Sequence, residues 1–220
     1  MRKQKPGRRA AAVRPPVLVW PTPFLLALFL LGRCSPVPAP MLTAADAADI
    51  GQVTAYLNSI PKFEASFVQT GSFGPDAGTI WADRPAGHLR IDYDDPEARV
   101  MVIADGGVRI LDRTSGALTR LPVSRTPLGM LLTPRISLSG DITVQSVVHT
   151  GGSIEVVLRN TSHPGQGSLT LTLAEQPMRL TAVTLLDARQ RSLTMTLSGL
   201  DTSPDLSDGL FQGPVLSSGG

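Results

Sequence analysis

Apolar and polar residues alternate along most of the chain that follows residue 60. The alternation is clearest in four stretches, where every second residue is apolar: 88–93, 153–156, 168–173 and 192–197. A period of two is typical of β-strands that bury one face. The full pattern predicts eleven strands, at residues 63–70, 78–83, 88–93, 99–104, 108–112, 117–121, 142–148, 153–159, 167–173, 178–186 and 191–198.

Short polar segments rich in glycine and aspartate separate these strands. Asp105-Gly106-Gly107, Gly151-Gly152 and Asp187-Ala188-Arg189-Gln190 are examples. Such residues favour tight turns, and connections this short join antiparallel neighbours and leave no room for a crossover helix. The sequence therefore predicts consecutive antiparallel hairpins.

Two segments have helical signals instead. Residues 44–60 carry Ile50, Val53 and Leu57 at helical spacing, and Pro61 ends the segment. The segment 126–132 begins with a threonine suited to an N-cap and a proline suited to the first helical position, and it then becomes apolar. We expect a helix in each segment.

The predicted strands form a large antiparallel sheet with one apolar face, and that face must be buried. The sheet could be a filled sandwich or barrel, or it could curl around an apolar hollow with the two helices as a lid. The inward residues are mostly leucine, valine, isoleucine and methionine, which suit a pocket for lipid. The pattern alone leaves both architectures open.

The start of the chain is typical of an export signal. Basic residues precede an apolar run of 15 residues, Val17 to Leu31, which is too short as a helix to cross a bilayer core of ~30 Å. Small residues follow, so we expect residues 1–44 to be a signal peptide cleaved between about Ala39 and Ala45. Residues 45–220 would then be a single domain with a short polar C-terminal tail.

Charge and candidate chemistry exclude several functions. Seven of the 20 basic residues lie in residues 1–33, and the rest of the chain has 13 basic against 18 acidic side chains. An acidic domain argues against nucleic-acid binding. The three histidines are scattered, and no zinc-protease, serine-nucleophile or phosphate-loop motif is present. We expect no enzymatic activity, no metal and no cofactor.

Five short motifs in residues 63–134 are similar to those of the outer-membrane lipoprotein carrier family, LolA. They occur in the order that this family has: Phe63-Glu64-Ala65-Ser66-Phe67-Val68-Gln69, Gly78-Thr79-Ile80-Trp81-Ala82-Asp83-Arg84-Pro85, Leu89-Arg90-Ile91-Asp92-Tyr93, Asp105-Gly106 and Thr126-Pro127-Leu128-Gly129-Met130-Leu131-Leu132. The resemblance implies an incomplete antiparallel barrel of eleven strands whose concave face is closed by helices. It also implies a monomeric periplasmic chaperone that takes lipoproteins from an inner-membrane ABC transporter to an outer-membrane acceptor lipoprotein.

The resemblance assigns roles to particular residues. Arg84 matches the arginine that latches the family's lid by donating hydrogen bonds to backbone carbonyls of the lid segment, although a salt bridge with Asp83 or Asp94 is an alternative. The lid segment would comprise Leu128, Met130, Leu131 and Leu132, which could equally be core residues. The acyl-chain cavity would be lined by Phe67, Trp81, Leu89, Ile91 and Val102.

Two other functions fit the same fold. A periplasmic sensor or regulatory domain could bind lipoproteins or glycolipids. A membrane-anchored acceptor would need a lipid on Cys34, the only cysteine, but Arg33 stands where lipoprotein signals have a small residue.

Overall fold

The structure, a computed structural model, describes residues 42–94, 99–207 and 209–213. In these residues the chain forms one α-helix, eleven β-strands and three short 3-10 helices. Helix α1 is Ala44–Ser59, and the 3-10 helices are Val123–Arg125, Pro127–Met130 and Pro164–Gln166. The strands are β1 Lys62–Gly71, β2 Asp76–Asp83, β3 His88–Tyr93, β4 Arg99–Ala104, β5 Gly107–Asp112, β6 Leu118–Pro122, β7 Ile142–Thr150, β8 Ser153–Asn160, β9 Gly167–Glu175, β10 Met178–Asp187 and β11 Ser192–Asp201.

All eleven strands belong to one antiparallel sheet that does not close. Its order is β6-β5-β4-β3-β2-β1-β11-β10-β9-β8-β7, so each strand pairs with its chain neighbours except where β1 pairs with β11. The edge strands β6 and β7 are not paired with each other, and the chain between them crosses the sheet as the first two 3-10 helices and a loop. This arrangement confirms the predicted half-open antiparallel barrel of eleven strands with a helical cover.

The predicted elements agree closely with the observed ones. Every predicted strand is present, and its ends lie within three residues of the expected positions. The helix expected at 126–132 is instead a 3-10 helix at Pro127–Met130, preceded by another at Val123–Arg125. The predicted signal peptide lies outside the described residues, except for residues 42–44.

Helix α1 packs its apolar side onto the second half of the sheet. It begins with a capping box, in which Thr43 and Asp46 satisfy each other's backbone N–H groups. Val53 and Leu57 are buried in the core. Asn58 then fixes the helix to the crossing segment, because its side chain exchanges two hydrogen bonds of 2.9 Å with the backbone of Ile136.

The concave face of the sheet holds two apolar clusters. One is centred on β7–β9 beneath α1, and the other on β1–β5. Leu128 from the crossing segment and Leu197 from β11 pack against both clusters. The two halves of the sheet therefore share one continuous apolar interior.

Gly78 allows an unusually close approach between β2 and β3. A Cβ atom at this position would lie 2.1 Å from the carbonyl oxygen of Asp92 and 3.0 Å from the ring of Phe67. The contact with the carbonyl oxygen is too short for any side chain, which explains glycine at this point in the first half of the sheet.

The convex face of β3–β5 is covered by the end of the described chain. Arg90 Nη1 donates a hydrogen bond of 2.9 Å to the carbonyl of Leu210, and the Phe211 ring packs 5.1 Å from the His88 ring. Phe211 is only 7% exposed, so this segment is packed against the convex face.

Candidate ligand-binding cavity

The concave side of the sheet surrounds an apolar cavity of about 650 Å³. This volume falls within the range of roughly 300–1,000 Å³ that is usual for ligand sites. Strands β1–β5 supply Phe63, Ile80, Leu89, Ile91, Met101, Val108 and Ile110. Strands β10 and β11 supply Leu180, Val183, Leu185, Leu193, Met195 and Leu197. The end of α1 and the crossing segment close the cavity with Leu57, Ile60, Leu128, Leu131, Leu132 and Ile136.

Three of the five side chains predicted for the cavity face the concave side. Leu89 and Ile91 lie in the cavity wall on β3. Phe67 faces the same way, but it is 2% exposed and does not line the cavity. Its ring meets that of Tyr93 edge-on at 5.6 Å, and Tyr93 is the residue that lines the cavity there.

Trp81 and Val102 are corrections to the predicted cavity. Trp81 follows Ile80 on β2, and since Ile80 lines the cavity, Trp81 points to the convex face. Val102 pairs in register with Arg90 on one side and Arg109 on the other. Arg90 contacts the C-terminal segment, so Val102, which is fully buried, lies beneath that segment on the convex face.

The predicted lid residues divide between the cavity and the core. Leu128, Leu131 and Leu132 line the cavity from the crossing segment. Met130 does not line it; this side chain is 7% exposed and belongs to the cluster beneath α1. Three residues therefore cover the hollow, and the fourth anchors the cover to the sheet.

Arg84 holds the end of helix α1. This side chain is 4% exposed, and its Nη2 donates to the carbonyls of Leu57 and, at 3.2 Å, Ile60. Nε also points to the Ile60 carbonyl, at 3.4 Å. The prediction that Arg84 donates to carbonyls of the segment 126–132 is therefore wrong. Its acceptors lie at the C-terminus of α1, so Arg84 joins the sheet to this helix.

Electrostatics fit this placement of Arg84. Helix α1 has no basic residue in its own last turn, so the guanidinium supplies the positive charge that a helix C-terminus favours. Among the described residues Asp83 pairs with Lys62 at 2.8 Å, and no carboxylate lies within ion-pair distance of Arg84. Burial lowers the pKa of the Arg84 guanidinium from its usual value. The salt-bridge alternative therefore does not apply.

A histidine tethers the other end of helix α1. His149, on β7, has Nε2 at 3.0 Å from Asp49 of α1 and Nδ1 at 3.2 Å from Glu175 of β9. Both carboxylates can accept a hydrogen bond from His149 at once only when both ring nitrogens carry hydrogen. The hydrogen bond with Asp49, followed by that with Glu175, raises the pKa of His149.

One polar pair in the cavity was missed by the sequence-based prediction. Gln69 is 1% exposed and donates to the Gly74 carbonyl at 3.3 Å, while the Tyr93 hydroxyl donates to its Oε1 at 3.3 Å. Burial raises the pKa of Tyr93. The sequence does indicate that Gln69 faces inward, because this residue continues the alternation of Phe63 and Phe67 along β1.

None of the helices in residues 42–94, 99–207 and 209–213 is long and apolar enough to span a membrane. The fold and the cavity together define a class of protein: half-open antiparallel β-barrels with a helix and a crossing segment over an apolar hollow.

A family model narrows this class. The model described as "Outer membrane lipoprotein carrier protein LolA" matches residues 58–213. The chain belongs to this LolA family, and the resemblance seen in the sequence is confirmed. A comparison with curated proteins found no significant match.

Solved structures of similar fold have low sequence identity. A LolA superfamily protein from Nitrosomonas europaea is 10% identical with a TM-score of 0.43, and the match covers 74% of this chain and 97% of that one. An uncharacterized conserved protein from Thermus thermophilus is 14% identical with a TM-score of 0.45, covering 76% and 94%. In a MucA/MucB complex from Pseudomonas aeruginosa, the matched chain is 18% identical with a TM-score of 0.40, covering 77% and 61%. Because these identities and TM-scores are low, the family assignment rests on the family model alone.

Proposed function

We propose that this protein is a periplasmic carrier, which binds the acyl chains of lipoproteins released from the inner membrane and delivers them to the outer membrane. The observation that carries the proposal is the apolar cavity of about 650 Å³ in a member of the LolA family. The partners would be an inner-membrane ABC transporter that releases the cargo and an outer-membrane acceptor lipoprotein. The protein would act as a monomer and without catalysis.

The physical need for such a carrier follows from the hydrophobic effect. Burial of each CH₂ group is favourable by about 0.8 kcal/mol, so exposing two or three acyl chains to water costs tens of kcal/mol. The cavity wall offers leucine, isoleucine, valine and methionine side chains to these chains. Methionine and leucine side chains can repack around acyl chains of different length.

Delivery requires that the cover of the cavity can open. Helix α1 and the crossing segment both contribute cavity-lining side chains, so acyl chains entering the hollow displace one or both of them. The end of α1 is held by hydrogen bonds from Arg84, whose loss costs a few kcal/mol. An opening equilibrium of this size allows loading and still favours release, because the empty protein regains the bonds.

The test is to isolate the protein from the periplasm and to measure its intact mass under native conditions. The proposal predicts one-to-one complexes with acylated proteins, and these complexes should transfer their cargo to membranes carrying the acceptor. A protein that binds lipoproteins without ever transferring them would be a sensor, and would contradict the carrier proposal. A lipid adduct on Cys34 would contradict the soluble carrier as well.

A further inference from the structure

One corner of the Arg84 guanidinium has no hydrogen-bond partner. Nε and Nη2 both meet the carbonyl of Ile60, and Nη2 also donates to that of Leu57, so this edge of the planar group faces the end of α1. Nη1 is the corner turned away from that edge. It is buried, and it makes no hydrogen bond within the described part of the chain. The side chain therefore keeps two unused N–H donors.

Arg84 belongs to the wall of the cavity. Ile80 and Ala82 line the cavity from β2, and Arg84 lines it two residues further along the same alternation. Among the described residues one other buried side-chain atom lacks a partner, Nε of Arg159, and Arg159 does not line the cavity. The cavity wall thus contains a buried cation whose hydrogen-bonding capacity is not used up.

An unused donor on a buried cation favours an anionic acceptor. A buried charge without a counter-charge is costly. In residues 42–94, 99–207 and 209–213 no carboxylate lies within ion-pair distance of Arg84, and its neighbour Asp83 is paired with Lys62 at 2.8 Å. Solvent does not reach Nη1 either. Its partner must therefore be carried in by a molecule whose apolar part enters the cavity.

We propose that the closed cavity also binds a free long-chain fatty acid, whose carboxylate accepts a hydrogen bond from Nη1 of Arg84. A guanidinium and a carboxylate form one of the stronger hydrogen-bonded pairs in proteins. The carboxylate gains this bond once the ligand has displaced the side chains that cover Nη1. The alkyl chain then lies along the apolar wall that β3 and β11 provide, at Leu89, Ile91, Met195 and Leu197.

A fatty acid fits this position better than the other lipids do. The acyl chains of a lipoprotein end in methyl groups, so they bring no acceptor to the closed end of the cavity. The phosphate of a phospholipid is joined to two chains through a glycerol unit and needs more room beside Arg84. A carboxylate that is joined directly to a single chain is the smallest anion that an apolar tail can deliver.

A fatty acid can occupy the cavity without opening its cover. Nε and Nη2 keep their bonds to the end of α1 while Nη1 holds the carboxylate. Lipoprotein cargo, by contrast, displaces the cover under the proposed carrier function. On that function, a fatty acid would compete with cargo and shift the protein toward its closed state.

The first test compares myristate with its methyl ester, which has the same chain but no charge. Each is titrated, below its aggregation concentration, into the purified protein to displace the neutral fluorescent probe N-phenylnaphthylamine. A charge-assisted hydrogen bond predicts that myristate binds at least about tenfold more tightly than the ester. Equal affinities would overturn the inference.

Arg84→Leu should abolish this preference by weakening the binding of myristate alone. Continued binding of the ester would show that the cavity persists in the variant. The matched control is Arg99→Leu, which removes an arginine from the cavity wall at the start of β2, where Arg99 pairs with Asp76 at 2.9 Å. This control should keep the preference. Loss of the preference in both variants, or in Arg99→Leu alone, would mean that Arg84 does not hold the carboxylate.

A measurement on the native protein decides the matter even if Arg84→Leu does not fold. With myristate carrying carbon-13 at C2, nuclear Overhauser contacts should join this methylene to the methyl groups of Leu57 and Ile60, which line the closed end of the cavity. Contacts with Leu193 instead, which pairs with Gly71 at the opposite end, would contradict the inference. Myristate should also slow hydrogen exchange in residues 50–60, and faster exchange would show that the latch does not stay closed.

A triacylated lipopeptide in the same displacement assay separates this inference from the proposed function. If the lipopeptide displaces the probe and myristate does not, the fatty-acid site is wrong and the carrier function stands. If myristate displaces the probe and the lipopeptide does not, the carrier function fails and the fatty-acid site stands. If neither displaces it, both are wrong.

Discussion

Replacing Arg84 with leucine should free the end of helix α1 while leaving the sheet folded. The substitution removes the hydrogen bonds to the carbonyls of Leu57 and Ile60, and it removes the positive charge at the helix C-terminus. A charge-assisted hydrogen bond contributes about 1.5–3 kcal/mol. The helix-end charge adds about 0.3–1 kcal/mol.

The net effect on α1 should be smaller than the sum of these contributions. The bonds to Ile60 are long, at 3.2 and 3.4 Å, and removal of a buried guanidinium also relieves its desolvation. We therefore expect the docked state of α1 to be destabilised by about 2–3 kcal/mol relative to the undocked state. This corresponds to a shift of roughly 30- to 140-fold in the docking equilibrium.

Hydrogen exchange of the amides in residues 50–60 measures this shift directly. The matched control is Arg90→Leu, which also removes hydrogen bonds from an arginine to a carbonyl and a carboxylate, but on the convex face. Exchange in α1 should rise only in Arg84→Leu. That variant should also load lipoprotein at least as well as the native protein and fail to deliver it, because release no longer restores the latch. Equal protection of α1 in the two variants would refute the reasoning.

Two further predictions concern the cavity wall and pH. Ile91→Glu should abolish binding of N-phenylnaphthylamine, because it places an unpaired charge in the cavity, whereas Trp81→Glu on the convex face should leave binding intact; the reverse result would mean that the faces are misassigned. The raised pKa of His149 means that the tether between Asp49 and Glu175 is complete below the unfolded pKa of about 6.5 and is lost as pH rises through the folded pKa. Protection factors in the first half of α1 should therefore fall as pH rises from the ordinary histidine pKa of about 6.5 through the raised pKa of His149, and His149→Gln should abolish that fall; a fall that persists in the variant would remove His149 from the tether.

The strands were predictable from sequence because their signals are local. Alternation with a period of two and short glycine-rich turns act over a few residues, and they located all eleven strands of the sheet. The capping and proline signals located both covering segments, although Pro127–Met130 is too short to form an α-helix.

The faces of individual strands were less predictable, because they depend on distant parts of the chain. All residues from Val100 to Ala104 are apolar, so alternation cannot tell which of them face the cavity. The face of Val102 is set by its register with Arg90 and Arg109, since Arg90 meets the C-terminal segment on the convex face. The acceptors of Arg84 were missed for the same reason, since Leu57 and Ile60 lie more than 20 residues away.

The most direct test of the carrier account is photo-crosslinking with a lipoprotein whose acyl chains carry a diazirine near their ends. The account predicts that irradiation of the complex attaches the chains to cavity residues such as Leu89, Met101 and Leu193, and that excess unlabelled lipopeptide prevents it. Attachment to Trp81 or elsewhere on the convex face, or labelling that no competitor reduces, would contradict the claim that this cavity holds the acyl chains.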